Sequence, residues 1–99
     1  MLSINKKFED EKLYVALEGR LDTTTSPELE KQLSESLPGV KELVLDLEKL
    51  EYISSAGLRV LLTAQKTMTK QGSMKLIHVN DLVMEILEVT GFVDILIIE

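Results

Sequence analysis

The sequence predicts an α/β fold, with a mixed, mostly parallel sheet, helices packed against it, and the element order β-β-α-β-α-β-α-β. Strand-like and helix-like apolar patterns alternate along most of the 99 residues, which is typical of crossovers between parallel strands. Two strand patterns follow one another directly at the start of the chain, which indicates one antiparallel hairpin. Hydrophobic residues make up 44% of the sequence, enough to form the core of one domain that spans residues 1–99.

The first half of the chain contains the hairpin and one helix. Strands are expected from Ile4 to Phe8 and from Leu13 to Leu17, because apolar positions recur there with a period of about two. Ser26, as the N-cap, and Pro27, at the first helical position, predict the start of helix 1. Pro38-Gly39 predicts its end.

The second half begins with Leu43 to Leu47, which is almost entirely apolar. This pattern predicts a central strand that is buried on both faces. The remaining expected elements are a helix from about Ser55 to Gln71, a buried strand from Met74 to Val79, a helix that begins at Asn80-Asp81 and ends at Gly91, and a short apolar strand from Ile95 to Ile98.

Composition and charge exclude several classes of function. The net charge is −6 and the eleven basic residues are scattered, while the aromatic residues are two Tyr and two Phe with no Trp. Nucleic acid is therefore rejected as the main partner. No apolar stretch approaches the roughly 20 residues of a membrane-spanning helix, so no membrane partner is expected. Because cysteine is absent, disulfides and thiolate chemistry are excluded, and we expect a cytoplasmic location.

Enzymatic function is not expected either. The single histidine, His78, lies at the end of a predicted buried strand, where a structural role is typical. The G-x-S-x-G and glycine-rich phosphate-loop motifs are missing. Asp46 is interpreted as a solvated turn carboxylate, and no acid and histidine cluster has a spacing suited to a metal. We therefore expect no cofactor and no metal, and a small nucleotide hydrolase that uses the serine turn is the enzymatic rival.

The serine turn, Ile53 to Gly57, carries most of the functional signal. It places hydroxyl groups at the N-terminus of helix 2, where unpaired N–H groups and the helix dipole favour an anion. One interpretation is an ordinary N-cap. The other is a serine that is phosphorylated, because a cap needs only one serine and Ala56-Gly57 leaves room for an approaching enzyme. The residues alone do not choose between Ser54 and Ser55.

A second segment is expected beside this turn. Asp22 follows Gly19-Arg20-Leu21 at the carboxyl end of a predicted strand. In open α/β sheets, ligands and partners gather at that edge. Asp22, residues 23–26 and the two serines are therefore expected to converge. The polar stripe of helix 2, which consists of Arg59, Thr63, Lys66 and Lys70, is either an extension of the same surface or a solvated helix face.

These motifs resemble a STAS domain, specifically the stand-alone anti-sigma factor antagonist of bacteria. The resemblance rests on Val44 to Leu47, on Tyr52 to Leu61, and on Gly19 to Asp22, which stands where the family has G-x-L-D. It covers essentially the whole chain and implies a STAS-like fold. The order and spacing of the three motifs make them specific together.

The resemblance also implies a partner switch. The unphosphorylated protein would bind an anti-sigma factor that is a serine kinase and so release the sigma factor; phosphorylation would end binding, and a PP2C-type phosphatase would restore it. The family's phosphoserine falls on Ser55, while Ser54 stands where the family often has Asp and is a rival hydroxyl. The implied partner-binding residues are Asp22, Thr24, Ser54, Ser55, Ala56, Gly57, Leu58 and Arg59. The alternative is a STAS scaffold or ligand-sensing module without serine phosphorylation. We expect a monomer when no partner is bound.

Overall fold

All 99 residues are described by the structure, which is a computed structural model. The elements are β1 (Leu2–Glu9), β2 (Lys12–Leu21), α1 (Ser26–Ser36), β3 (Glu42–Ile53), α2 (Ser55–Gln71), β4 (Ser73–Ile77), α3 (Asp81–Thr90) and a 3-10 helix (Phe92–Asp94). The four strands lie in the order β1-β2-β3-β4. β1 and β2 are antiparallel, whereas β2, β3 and β4 are parallel. The predicted fold class is confirmed.

The three helices cover one face of the sheet. Alternate residues of β2 and β3, such as Leu13, Val15 and Leu45, join side chains from all three helices in one core cluster of 23 buried residues. Val44 is also buried but lies outside that cluster, and it is in register with Tyr14 and Lys75 on the opposite face. The sheet therefore has a helix-covered face and an open face.

Helix α1 begins differently from the prediction. The N-cap is Thr25 rather than Ser26, and the Thr25 side chain makes no capping hydrogen bond. The reason is that both hydroxyls are used elsewhere. Ser26 is only 3% exposed, and its Oγ donates to the Asp22 carbonyl oxygen at 2.6 Å. Thr25 Oγ1 donates to the Arg20 carbonyl oxygen at 2.8 Å. The loop before α1 is thus tied back to the end of β2.

The last two predicted strands are shorter than expected. β4 ends at Ile77 instead of Val79, because His78 adopts a positive φ of 54° and turns the chain away. The predicted strand from Ile95 to Ile98 is reduced to one parallel bridge between Leu76 and Ile98. The N–H groups of Ile95 and Leu96 donate to the Phe92 carbonyl oxygen at 3.0 and 2.9 Å. The helical turn therefore extends into the predicted strand, and only Ile98 pairs with β4.

The two edges of the sheet are covered to different degrees. The Leu76 N–H donates to the Ile97 carbonyl oxygen at 2.8 Å, and the Glu99 N–H donates to the Leu76 carbonyl oxygen at 2.9 Å. These bonds occupy part of the outer edge of β4. At the other side of the sheet β1 is the edge strand, and its Lys6 and Lys7 are exposed. None of the helices has both the length and the apolar character needed to cross a membrane.

Candidate functional site

The start of α2 is held by Ser54, which links it to two strands. The Ser54 N–H donates to the Leu21 carbonyl oxygen at 2.9 Å, and the Ser54 carbonyl oxygen accepts from the Leu58 N–H at 2.9 Å. The Ser54 side chain is the N-cap, because its Oγ accepts from the Gly57 N–H at 3.3 Å. The backbone and side chain of Ser54 therefore both form hydrogen bonds that stabilise the junction between β2, β3 and α2.

Ser55 occupies the first helical position and differs from its neighbour. It is exposed, and its hydroxyl takes part in none of the side-chain hydrogen bonds of the structure, whereas that of Ser54 does. Helix α2 has no acidic residue in its first turn. The first N–H groups of a helix lack partners within the helix and carry partial positive charge. An anionic group attached to Ser55 would thus lie at a favourable helix terminus.

Gly57 and Leu58 contribute to the interior rather than to the surface. Gly57 is buried, and a Cβ placed on it would lie 2.8 Å from Leu21 Cγ and 2.9 Å from Ile53 Cγ1. Leu58 is 5% exposed and belongs to the core cluster. Of the residues expected to bind a partner, these two hold the helix against the strand ends, while Arg59 is exposed and Ala56 is half-buried.

Asp22 organises the loop between β2 and α1. Its Oδ1 accepts from the Thr24 N–H at 2.9 Å, from Thr24 Oγ1 at 2.7 Å and from the Thr25 N–H at 3.2 Å. The hydrogen bond from the Thr24 hydroxyl is the main reason that the pKa of Asp22 lies below its ordinary value, and the backbone N–H groups add to this effect. Asp22 is thus an ionised residue that shapes the loop, and Thr24 is exposed beside it.

The two segments meet as expected. The hydrogen bond between Ser54 and Leu21 joins the start of α2 to the residue before Asp22. A shallow depression of about 160 Å³ lies between the first turns of α1 and α2, lined by Thr23, Ser26, Pro27, Glu30, Ala56, Arg59 and Val60. Close by, the Arg20 Nε lies 3.8 Å from Asp22 Oδ2, and the Arg20 guanidinium lies 4.5 Å from the centre of the Tyr52 ring. The surface where the end of β2 meets the start of α2 thus combines hydroxyls, Asp22 and two arginines.

Asp46 and His78 differ from the interpretations made for them. Asp46 lies within β3 with a side chain only 13% exposed, so it is not a solvated turn carboxylate. Burial raises the pKa of Asp46, but hydrogen bonds from the Tyr14 hydroxyl, the Glu48 N–H and His78 outweigh burial and lower it below its ordinary value. The hydrogen bond to Asp46 also raises the pKa of Tyr14. The His78 side chain is 57% exposed, not buried in a strand.

The structure also brings together metal-ligating side chains whose spacing in the sequence did not indicate a metal site. Donor atoms of Asp46, Glu48 and His78 all lie within 4.8 Å of one another. Sequence spacing does not show this cluster, because His78 is brought to Asp46 by the parallel pairing of β3 with β4. The only signal in the sequence for such a cluster was a histidine at the end of one predicted strand and an acidic residue in the neighbouring predicted strand.

Comparison with known protein families identifies the family of this chain. The family described as "Mlab, STAS domain" matches residues 4–98. The chain belongs to the STAS domain family. This STAS domain is 38% identical over 88 residues to a Bordetella bronchiseptica protein that is provisionally named anti-sigma factor antagonist BtrV, an alignment that covers 87% of this chain and 76% of the relative.

Solved structures show the same fold. An anti-sigma factor antagonist from Mycobacterium paratuberculosis superimposes with a TM-score of 0.89 at 20% identity, over 99% of this STAS domain and 85% of that chain. The Bacillus cell fate determinant SpoIIAA, solved in its phosphorylated form, superimposes with a TM-score of 0.76 at 15% identity, over 98% of this chain and 91% of that chain. At these identities the likeness concerns the fold.

Proposed function

We propose that this STAS domain is an anti-sigma factor antagonist that works as a phosphorylation switch. In the unphosphorylated state it binds an anti-sigma factor that is also a serine kinase, and so releases the sigma factor. Phosphorylation of Ser55 ends binding, and a PP2C-type phosphatase restores it. The domain is then a regulatory binding protein of the cytoplasm rather than an enzyme.

The observation that carries the proposal is the difference between two neighbouring serines. Ser54 Oγ is engaged as the cap of α2 by the Gly57 N–H, and Ser54 is half-buried, so a kinase has poorer access to this hydroxyl. The Ser55 hydroxyl is exposed at the first helical position and has no bond to lose. Ser55 is therefore the serine that is more accessible to a kinase, which agrees with the position implied by the family resemblance.

The names of similar proteins support the regulatory half of the proposal. The Bordetella relative is named an anti-sigma factor antagonist, and so is the Mycobacterium structure. SpoIIAA exists in a phosphorylated form. The surface around Ser55, with Asp22, Thr24, Ala56 and Arg59, is the proposed docking face.

The expected effect of the phosphate is local. A phosphoserine adds about −1.5 to −2 charge and three acceptor oxygens. At a helix N-terminus this group is electrostatically favourable, so the domain stays folded. At a protein interface it adds bulk and a hydration shell, and it repels the nearby Asp22. A loss of about 3 kcal/mol of binding free energy corresponds to a more than hundredfold weaker complex.

The direct test is phosphorylation of the intact chain by the cognate kinase and ATP, followed by intact mass measurement. We expect the wild type to gain one phosphate, Ser55→Ala to gain none, and Ser54→Asp, which retains a capping oxygen, to gain one. Binding of the kinase to the plain and phosphorylated forms is then compared by calorimetry, with a more than hundredfold loss expected. Phosphate on Ser55→Ala, or equal affinity for both forms, would contradict the proposal.

One observation favours a second function. A groove of about 390 Å³ lies between α1 and α2, where the apolar side chains of Leu33, Leu37, Val60 and Ala64 lie among polar ones. Such a groove suits a ligand-sensing STAS module whose serines are not modified. The same mass measurement separates the two functions, because the ligand-sensing module gains no phosphate on either serine.

A further inference from the structure

A cluster of metal-ligating side chains lies on the open face of the sheet, away from the serine turn. It consists of Asp46 and Glu48 of β3 and of His78, which follows β4. We propose that these three residues bind a borderline divalent cation of the zinc class, with water or a partner's side chain in the remaining coordination position.

The geometry already brings the donors close to ligand distance. His78 Nδ1 lies 3.1 Å from Asp46 Oδ2, and the donor atoms of all three residues lie within 4.8 Å of one another. With metal–ligand bonds of about 2.0 to 2.2 Å, the donors of a tetrahedral zinc site are about 3.3 Å apart. Since Glu48 is exposed, a change of its side-chain rotamer can close the cluster around an ion without movement of the strands.

Asp46 is fixed by groups outside the cluster. The Tyr14 hydroxyl donates to Asp46 Oδ2, and Tyr14 belongs to the neighbouring strand β2. Carboxylates that ligate metals are usually oriented in this way by an outer hydrogen-bond donor. Asp46 is also mostly buried, with its side chain 13% exposed. The central ligand is thus pre-positioned, whereas a surface carboxylate in water would have to be ordered first.

The backbone turns His78 toward Asp46. Its φ of 54° is in the left-handed region, which β-branched and bulky residues avoid but which His, Asn and Asp tolerate. Without this turn, β4 would continue alongside β3 and Nδ1 would not reach Asp46. The imidazole is 57% exposed, so an ion can reach it from solvent.

Charge also favours a cation at this place. Asp46 and Glu48 lie two residues apart on one strand, and no lysine or arginine forms an ion pair with either of them; the only ion-pair partner of Asp46 is His78. A divalent ion would neutralise both carboxylates. One imidazole nitrogen and two carboxylate oxygens suit zinc and its neighbours, whereas Mg²⁺ and Ca²⁺ prefer oxygen donors alone.

This site is separate from the proposed phosphorylation switch. Asp46 lies seven positions before Ile53, the residue that ends β3, which corresponds to a distance on the order of 20 Å along a strand. It also lies on the face that the helices leave open. An experiment that disproves the metal site therefore leaves the proposed phosphorylation switch unaffected. An experiment that disproves the switch likewise leaves the metal site unaffected.

The test is calorimetric titration of the tag-free intact chain with Zn²⁺, and with Mg²⁺ as the comparison ion. We expect one Zn²⁺ per chain and no saturable Mg²⁺ binding. In His78→Asn the new residue can adopt the same backbone conformation but supplies no imidazole. We expect the affinity for Zn²⁺ to fall at least tenfold in this variant and in Glu48→Gln. Tyr14→Phe, which removes only the outer donor, should weaken binding by about 10- to 100-fold.

The matched control is Glu51→Gln, which removes one exposed carboxylate from the same strand outside the cluster and should leave affinity unchanged. Because His78 is the only histidine and cysteine is absent, imidazole resonances report on one residue, and they should shift with Zn²⁺ at the calorimetric stoichiometry. Absence of Zn²⁺ binding, binding that survives His78→Asn, or an equal loss in Glu51→Gln would each overturn the proposal.

Discussion

The clearest prediction concerns the different stability effects of the two serines at the start of α2. Ser54 Oγ accepts from the Gly57 N–H at 3.3 Å, so Ser54→Ala leaves that N–H without its capping partner. The Ser55 hydroxyl is exposed and has no partner. We therefore expect Ser54→Ala to destabilise the domain and Ser55→Ala to leave its stability nearly unchanged.

The magnitudes follow from known capping and propensity effects. Loss of a serine N-cap costs about 1 kcal/mol of unfolding free energy. Ser55→Ala should change it by no more than about 0.5 kcal/mol, with a tendency toward stabilisation because Ala is the better helix former. For a domain of this size, 1 kcal/mol shifts Tm by about 4 to 8 °C. The two single variants should thus differ clearly in one thermal scan.

The assay is equilibrium urea unfolding and thermal unfolding, both followed by far-ultraviolet circular dichroism. Ser54→Asp is the matched control, because Asp is as good an N-cap as Ser and its charge suits the helix dipole. It should be at least as stable as the wild type. The reasoning is refuted if Ser55→Ala loses as much stability as Ser54→Ala, or if Ser54→Asp behaves like the alanine variant.

Two further predictions concern the other loops. Asn80 Oδ1 accepts from the Val83 N–H at 3.0 Å and its Nδ2 donates to the Leu50 carbonyl oxygen at 2.7 Å. Asn80→Ala should therefore lose about 2 to 3 kcal/mol in urea unfolding, and Asn80→Asp, which keeps the cap alone, should lose less; equal losses would contradict this. The pKa of Asp22 is lowered by the Thr24 hydroxyl, so its stabilising effect is present above the unfolded pKa of about 3.9 and disappears as pH falls through the folded value. The stability gap between wild type and Asp22→Asn should narrow below about pH 4, and a gap that is constant with pH would refute this assignment.

Much of the fold could be predicted from local patterns. Alternating apolar residues located β1 and β2, and the run from Leu43 to Leu47, which only Asp46 interrupts, located the central strand. The expectation that this strand is buried on both faces was too strong, because the helices cover only one face of the sheet. The helix signals at Ser54-Ser55 and Asn80-Asp81 were equally reliable. In both cases the capping residue lies immediately before the helix that it caps.

The features that sequence missed depend on hydrogen bonds and turns that apolar patterns do not reveal, and in one case on a contact between distant residues. Ser26 looked like a cap, but its hydroxyl is used by the Asp22 carbonyl oxygen. The final strand was reduced because the 3-10 turn after Gly91 continues through Leu96. Asp46 and His78 are 32 positions apart, so only the strand order could bring them together. In the candidate site, the difference between Ser54, whose hydroxyl caps α2, and Ser55, whose hydroxyl does not, became visible only in the three-dimensional hydrogen bonds.

The unequal edges of the sheet have a consequence for how the molecule behaves at high concentration. An extra strand from another molecule can add only where backbone donors and acceptors are unpaired. At β4 the segment around Ile98 already occupies part of that row, which leaves β1 as the open side. There an invading strand would have to accommodate the ammonium groups of Lys6 and Lys7. The growth of fibrils by addition of strands is therefore disfavoured at β4, because that edge is already partly paired. It is disfavoured at β1 because of the positive charge of the two lysines.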